Sequence, residues 1–238
     1  IPKRPPTIQI TGFDGSVLAT RGEMAGTNVA LKDLPPWLPK AFIAIEDRRF
    51  YSHYGIDPVG IARAAVANIL HRGVSQGGST LTQQLAKNLF LTQERTMARK
   101  LQEVELALWL ERKHSKNEIL ELYLNRVYFG SGAYGVEAAS QRYFGKSAKN
   151  VTVAEAAMLA GLVKSPSRLA PNRNPEGAEA RAGLVLVAMA ENKFISAAQA
   201  KASIGHPSYK VKPAGAGTVN YVADWIGEVL DDLVGQID

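Results

Sequence analysis

The amino-acid sequence predicts a mainly α fold that begins with a short β segment. From Leu38 onward, apolar residues recur at the three- and four-residue spacing of amphipathic helices. Glycines and prolines divide this pattern into segments of helical length. With 238 residues and 46% hydrophobic content the chain can bury a substantial core, and it has no cysteine with which to form disulfides.

Residues 1–35 are predicted to form an extended β entry segment. The stretch 7–11 alternates polar and apolar side chains as a strand does, and Asp14-Gly15 favours a turn. Residues 16–19 would then return as a second strand. The segment closes at Pro35-Pro36.

Helices account for most of the remaining chain. The candidate helices lie near 38–50, 58–71, 80–91, 95–113, 115–124, 134–144, 152–163, 176–191 and 196–204. Ser115 followed by Glu118 has the pattern of a capping box. We therefore assign residues 36–204 to one domain. Residues 205–238 are assigned to a Gly-, Pro- and Ala-rich linker and an amphipathic, acidic tail that starts a connection to a second domain.

The charge of the chain indicates an anionic partner. Its net charge is +6, which suits nucleic acid, anionic lipid or a phosphorylated substrate. Nucleic acid is disfavoured because the basic residues are dispersed and aromatic residues do not interleave with them. The sequence has no apolar run of about 18 residues, so we expect no membrane span in it.

Glu103 is the first of two carboxylates that carry the chemical interpretation. On a helix, Arg99 and Lys100 lie one turn before it on the same face. The run 104–110 is apolar almost all round, which predicts a buried helix. The two cations can pair with Glu103, or they can jointly hold a phosphate while Glu103 orients them. An ordinary surface ion pair, contributing about 0.3–0.5 kcal/mol, explains the same pattern.

Glu46 is the second carboxylate. It ends a helix whose preceding stretch, 41–45, is apolar, and burial there would raise its pKa toward the range of a general base. Asp47 and His53 are placed to tune or orient it. Pairing with the arginines that follow is the alternative interpretation.

A glycine-led helix lies between the two carboxylates. Gly77, Gly78 and Ser79 lead into a helix N-terminus, which is predicted to expose backbone N–H groups to anions. A polar stripe on this helix suits a sugar pyrophosphate and equally suits a solvated surface. Its residues are Thr80, Gln84, Lys87 and Asn88.

In their order and spacing, these segments resemble the peptidoglycan glycosyltransferase family 51. This family is the polymerase module of class A penicillin-binding proteins and of monofunctional transglycosylases. The resemblance covers about residues 36–190. The matching segments are EDRRFYSHYGID, GGSTLTQQLAKN, RKLQEVELALWLE, ILELYLNRVYFGSGAYGVEAAS, YFGK and EAAMLAGLVKSPS. The resemblance implies a lysozyme-like helical head lobe with a smaller membrane-facing jaw lobe, roughly residues 66–98.

The resemblance also implies a reaction. Lipid II would be polymerised into β-1,4-linked glycan strands by inverting displacement of a lipid pyrophosphate. Glu46 would be the base that deprotonates the acceptor hydroxyl, and Glu103 the second essential acid. Arg99 and Lys100 would stabilise the leaving group, with Mg²⁺ or Mn²⁺ near Glu103 as a candidate cofactor. The other implied binding residues are Thr80, Gln84, Lys87 and Asn88 at the donor, and Asp47, Phe50 and His53 beside the base.

The expected partners follow from the same resemblance. They are lipid II, the growing lipid-linked strand, the membrane surface and a covalent transpeptidase domain in a bifunctional parent protein. The expected location is the bacterial inner membrane, facing the periplasm or cell exterior. In the jaw lobe, apolar and basic residues alternate, and they are expected to meet lipid tails and headgroups respectively. The apolar ones are Leu89, Phe90, Leu91 and Met97, and the basic ones are Arg72, Arg95 and Arg99.

Two alternatives remain open from the sequence. A lysozyme-like hydrolase or lytic transglycosylase would share the fold and a catalytic Glu, but it cuts a neutral glycan and has little use for the cations around a second acid. A non-enzymatic scaffold that binds anionic lipid or glycan would leave both acids merely ion-paired.

Overall fold

The computed structural model describes residues 8–11, 17–21, 24–25, 27–70, 78–90, 97–205 and 211. The described part is mainly helical, as the sequence predicts. Its helices are α1 Trp37–Glu46, α2 Pro58–Leu70, α3 Leu81–Phe90, α4 Met97–Lys113, α5 Lys116–Arg126, α6 Val136–Phe144, α7 Val153–Leu162, α8 Pro175–Glu191 and α9 Ala197–Gly205. Its strands are β1 Ile8–Thr11, β2 Val17–Arg21, β3 Met24–Ala25 and β4 Ala133–Tyr134.

The helix boundaries agree with the predicted ones except at the end of α1. This helix stops at Glu46 instead of continuing to residue 50, because Asp47 adopts φ −157° and ψ 69°. Phe50–Ser52 then form a separate turn of 3-10 helix. The capping box at the start of α5 is confirmed, since the Ser115 N–H donates to Glu118 Oε2 at 2.7 Å and the Glu118 N–H donates to Ser115 Oγ.

The strands form two small pairs. β1 and β2 are antiparallel with Ile8 opposite Arg21, which confirms the predicted hairpin pairing, although residues 14–15 of its turn lie outside the described residues. β3 and β4 are parallel, with Met24 opposite Ala133. This second pair is not predicted, because strands of two residues carry no periodicity to recognise.

The core of the described chain is built around α7. Every residue from Ala154 to Leu162 is buried, and α1 and α8 both pack against this helix. Phe42 of α1 lies edge-on to Tyr123 and Phe129, with ring centroids 6.1 and 5.9 Å apart. This packing fixes the C-terminal end of α1, where Glu46 and Asp47 stand.

α3 packs against α4 and α5. Only one face of α4 is buried, the face that carries Glu103, Ala107, Leu110 and Glu111. Trp109 is 46% exposed, so the prediction that the run 104–110 is buried all round is wrong. The expectation that Leu89 meets lipid is also wrong, because it is part of the core, whereas Phe90 and Met97 are exposed.

The predicted linker and acidic tail lie outside the described residues, apart from residues 205 and 211. The assignment of domains, including the jaw lobe, therefore stays a prediction. Among the residues the structure describes, none belongs to a helix long and apolar enough to cross a membrane.

Candidate active site

Glu46 is half-buried at the C-terminal end of α1, and its contacts suit a base. The Gln84 side-chain amide donates to Glu46 Oε2 at 2.9 Å. Burial raises the pKa of the Glu46 carboxyl above its ordinary 4.5, while the Gln84 hydrogen bond and the charges of Arg181 and Lys164 act in the opposite direction. The structure thus places the Gln84 side chain against Glu46, although the family resemblance assigns Gln84 to the donor and Glu46 to the acceptor.

Arg181 is a member of this site that sequence reasoning missed. It lies half-buried on α8, where burial lowers the pKa of its guanidinium and the Glu46 carboxylate raises it. The available signal was an arginine inside a helix made mostly of Ala, Gly, Leu and Val. A positive charge beside Glu46 offsets part of the cost of keeping that carboxylate ionised.

Asp47 links the end of α1 to the start of α3. Its backbone N–H donates to the Ile43 carbonyl at 3.0 Å, and its Oδ2 accepts the Leu81 N–H at 2.9 Å. His53 Nε2 lies 2.9 Å from both oxygens of the same carboxylate. The His53 side chain is only 3% exposed, so it supports Asp47 from within the protein.

The start of α3 differs from the expectation that its N–H groups face an anion. The Thr80 N–H donates to Gln83 Oε1 at 2.9 Å, the Gln83 N–H donates to Thr80 Oγ1 at 3.1 Å, and the Leu81 N–H is held by Asp47. Thr80 is buried, and its hydroxyl donates to the Gly55 carbonyl at 2.7 Å. Thr80 and Gln83 therefore cap the helix, and Asp47 supplies the negative charge at its positive end.

The remaining residues of the polar stripe on α3 differ in their exposure to solvent. Gln84 is half-buried against Glu46, whereas Lys87 and Asn88 are exposed. The structure therefore leaves Lys87 and Asn88 open to a ligand and gives Gln84 a partner inside the protein.

Glu103 has a different environment from Glu46. Its side chain is 9% exposed, and the Lys100 amine donates to Glu103 Oε1. The same amine donates to Ser79 Oγ at 2.9 Å, so Lys100 joins α4 to a residue two positions before the start of α3. Arg99 is half-buried one residue earlier in the chain. In this part of the site a lysine amine is therefore fixed against one buried carboxylate.

A divalent cation at Glu103 would have limited support from the protein. The described residues contain no group of three or more His, Cys, Asp or Glu side chains that could hold a metal. Mg²⁺ is often bound by one or two carboxylates together with substrate phosphates. Glu103 fits this arrangement only, as a single carboxylate ligand beside the phosphates of a bound substrate. When bound there, the cation would neutralise charge on a phosphate oxygen.

Phe50 and Glu111 support the site from the core. Phe50 is fully buried, so it shapes the neighbourhood of His53 and does not face a ligand. Glu111 was not identified from the sequence. Its Oε1 accepts the Gly55 N–H at 3.1 Å, the Thr82 hydroxyl at 2.7 Å and the Lys116 amine at 2.7 Å. A charged residue directly after an apolar run was the signal that could have found it.

Taken together, the two carboxylates are suited to different tasks. Glu46 has a raised pKa and a neutral amide as its hydrogen-bond partner, which suits proton abstraction. Glu103 is hydrogen-bonded to a lysine amine, which suits the organisation of cations at a negatively charged group.

Comparison with known proteins identifies the family of this chain. Residues 14–190 match the family described as Transglycosylase. The chain is 42% identical over 233 residues to penicillin-binding protein 1A of Aquifex aeolicus, covering 98% of this chain and 32% of that protein. It is 49% identical over 192 residues to penicillin-binding protein 1A of Escherichia coli, covering 81% of this chain and 23% of that protein.

A solved structure is also similar to this chain. The crystal structure of penicillin-binding protein 1A from Haemophilus influenzae superposes with a TM-score of 0.57 at 26% identity, covering 95% of this chain and 24% of that one. The chain thus spans about a quarter to a third of the length of these relatives. The family predicted from the sequence motifs is confirmed: this chain belongs to the transglycosylase family of the penicillin-binding proteins.

Proposed function

We propose that this chain is a peptidoglycan glycosyltransferase that polymerises lipid II. The observation that carries the proposal is the contrast between its two acids. Glu46 is held by the neutral Gln84 amide and has a raised pKa, whereas Glu103 is held by the Lys100 amine. A base at one end and cations at the other are what displacement of an anionic leaving group requires.

Glu46 acts as the base in the proposed reaction. It takes the proton from the 4-hydroxyl of the acceptor sugar while that oxygen attacks the anomeric carbon of the donor. The bond from this carbon to the pyrophosphate oxygen breaks on the opposite face, so the α-linked donor gives a β-linked product. The raised pKa of Glu46 makes it a stronger base for this step.

The cations of α3 and α4 act on the leaving group. Lys100 is already positioned by Ser79 and Glu103, so little reorganisation is needed when negative charge develops on the pyrophosphate. Lys87 is exposed on α3 and is available to the same group, with Arg99 a further candidate. Glu103 acts by holding Lys100, and a divalent cation at the pyrophosphate is an optional addition.

The setting of this reaction is part of the proposal. We infer that the lipid-linked substrate is met at the surface of the bacterial inner membrane, on its outer side. The exposed Phe90 and Met97 support this inference, since lipid is the environment that covers such side chains. We also infer a covalent transpeptidase domain in the parent protein, which the greater length of its relatives supports.

Labelled lipid II and isolated peptidoglycan separate the candidate activities. The chain is expected to extend strands from lipid II, and release of fragments from isolated peptidoglycan without strand growth would instead indicate a hydrolase. Glu46→Gln is expected to abolish strand growth and retain lipid II binding, because Gln keeps the shape of Glu but cannot accept the proton. Normal turnover by this variant would contradict the assignment of the base.

Glu103→Gln tests the second acid and the non-enzymatic alternative. Loss of turnover with unchanged thermal unfolding is expected, because the Lys100 amine loses the charge that positions it. A scaffold that only binds lipid or glycan would show no strand growth with either the original chain or the variant.

A further inference from the structure

Tyr123 is a buried residue of the ILELYLN segment to which the proposed reaction gives no role. It lies on α5, its side chain is fully buried, and its ring packs edge-on to Phe42. Its hydroxyl donates to Gln84 Oε1 at 3.1 Å, and the amide nitrogen of Gln84 donates to Glu46 Oε2 at 2.9 Å. A continuous chain of hydrogen bonds therefore runs from the core to Glu46.

The direction of these hydrogen bonds follows from the groups themselves. An ionised carboxylate only accepts, so Gln84 must turn its amide nitrogen toward Glu46. The carbonyl end of the same amide then faces Tyr123, whose hydroxyl must donate to it. If the amide were rotated by half a turn, its carbonyl oxygen would lie against the Glu46 carboxylate, and the two oxygens would repel each other.

From this geometry we propose that Tyr123 is a positioning residue of the reaction, which acts by fixing the orientation of the Gln84 amide toward Glu46. The proposal rests on the proposed role of Glu46 as the base. Tyr123 does not touch the substrate: it is buried in the core and acts only through Gln84. Its ring is buried and packs against Phe42, so the hydroxyl is held in one position from which it donates to Gln84.

The environment of Tyr123 keeps the donor in place. Burial, together with the charges of Glu46 and Asp47, raises the pKa of the Tyr123 hydroxyl well above its ordinary 10.0. The hydroxyl therefore stays protonated over the pH range in which the reaction is measured, and it remains a donor to Gln84.

Replacing Tyr123 by Phe removes only the hydroxyl. Gln84 Oε1 then loses its donor, the amide is free to rotate, and donation to Glu46 weakens. Because that donation lowers the pKa of Glu46, the pKa is expected to rise further when the donation weakens. On the acid side of the pH profile kcat/KM should fall about three- to tenfold, and the loss should shrink as the pH rises above the pKa.

Tyr143→Phe is the matched control. Tyr143 is also fully buried, and its hydroxyl donates to the Phe129 carbonyl at 2.8 Å. The control removes the same group from a buried tyrosine, and it is expected to change the free energy of unfolding without moving the pH profile. An effect of Tyr123→Phe that matched the control at every pH would show a merely structural role and overturn the proposal.

A measurement without turnover gives the pKa directly. Carboxyl carbons of glutamate are followed by NMR during a pH titration, and the Glu46 signal is assigned by its loss in Glu46→Gln. The midpoint is expected to rise in Tyr123→Phe and to stay unchanged in Tyr143→Phe. An unchanged or lowered midpoint in Tyr123→Phe would overturn the proposal. Normal turnover by Glu46→Gln would instead contradict the base assignment, so the two failures are distinguishable.

A double variant keeps the test valid if Tyr123→Phe alone does not fold. Gln84→Met removes the side-chain carbonyl that needs a hydrogen-bond donor. In the double variant with Tyr123→Phe, no amide oxygen at position 84 is therefore left without a donor. Because Tyr123 is proposed to act only through Gln84, adding Tyr123→Phe to Gln84→Met should leave the Glu46 midpoint where Gln84→Met alone puts it. A further shift in the double variant would show that Tyr123 acts on Glu46 by another route, and it would contradict the proposal.

Discussion

Glu111 offers the strongest test of how the site is held together. One oxygen of this carboxylate accepts the Gly55 N–H, the Thr82 hydroxyl and the Lys116 amine. Glu111→Gln keeps the size of the side chain and a carbonyl oxygen, but it removes the charge that pairs with Lys116. The Glu111 side chain is 3% exposed and that of Lys116 is 19% exposed, so the lost pairing is poorly replaced by water.

The expected cost follows from these exposures. Breaking a buried ion pair by removing one partner costs about 3–5 kcal/mol, and part of this is recovered here because Lys116 reaches solvent and Gln still accepts hydrogen bonds. We expect a loss of about 2–3 kcal/mol in the free energy of unfolding, measured by urea denaturation. At about 2–4 °C per kcal/mol for a chain of this size, the Tm should fall by about 4–12 °C.

Two further variants make the result interpretable. Asp33→Asn removes the exposed pair between Asp33 and Lys149, whose side chains are 40% and 48% exposed, and it should cost about 0–1 kcal/mol. Adding Lys116→Met to Glu111→Gln removes the unpaired cation and should restore part of the loss. If Glu111→Gln cost no more than Asp33→Asn, or if Lys116→Met only added to the loss, the reasoning would be refuted.

Three other predictions concern stability and membrane binding. Burial raises the pKa of Glu46, so ionisation of this carboxyl lowers the stability of the folded chain as the pH rises through that pKa. Glu46→Gln should therefore have a higher Tm than the original chain at pH 8, with a smaller difference at pH 4. Equal gains in Tm at both pH values would contradict this. Gly130 and Gly132 both have positive φ, but only at Gly130 would a Cβ meet a neighbour, the Pro166 carbonyl oxygen at 2.4 Å. Gly132→Ala should cost about 1–2 kcal/mol in urea denaturation and Gly130→Ala about 2 kcal/mol more, and equal losses would argue against the collision. Met97→Ser should weaken binding to anionic liposomes, whereas Leu184→Ser, which also removes an exposed apolar side chain but from α8, should not; equal effects would count against a local lipid contact.

The sequence predicts the helices of this fold well because their signals are local. Ser115 and Glu118 are three residues apart, and Gly145 ends α6 in the left-handed conformation that glycine adopts readily. The end of α1 is less predictable. The prediction extends this helix to about residue 50, but α1 ends at Glu46, and the side chain of the next residue, Asp47, bonds to a residue 34 positions away.

The candidate site was predictable only in part for the same reason. The pairing of Glu103 with Lys100 follows from helical spacing, and the structure confirms it. Arg181, Tyr123 and Glu111 reach the site through packing between helices that are far apart in the chain. Such contacts leave no periodic signal in a single sequence. The prediction of an open helix N-terminus failed because the residue that closes it lies in another motif.

The closed start of α3 has a consequence for the design of inhibitors. A phosphate mimic aimed at this helix N-terminus would meet the Asp47 carboxylate, which already holds the Leu81 N–H, and would be repelled. The same mimic directed at Lys100 and Lys87 would find amines on the neighbouring helices α4 and α3. Compounds with a negative charge should therefore be built outward from these two lysines, and a group placed near Asp47 should be neutral or a hydrogen-bond donor.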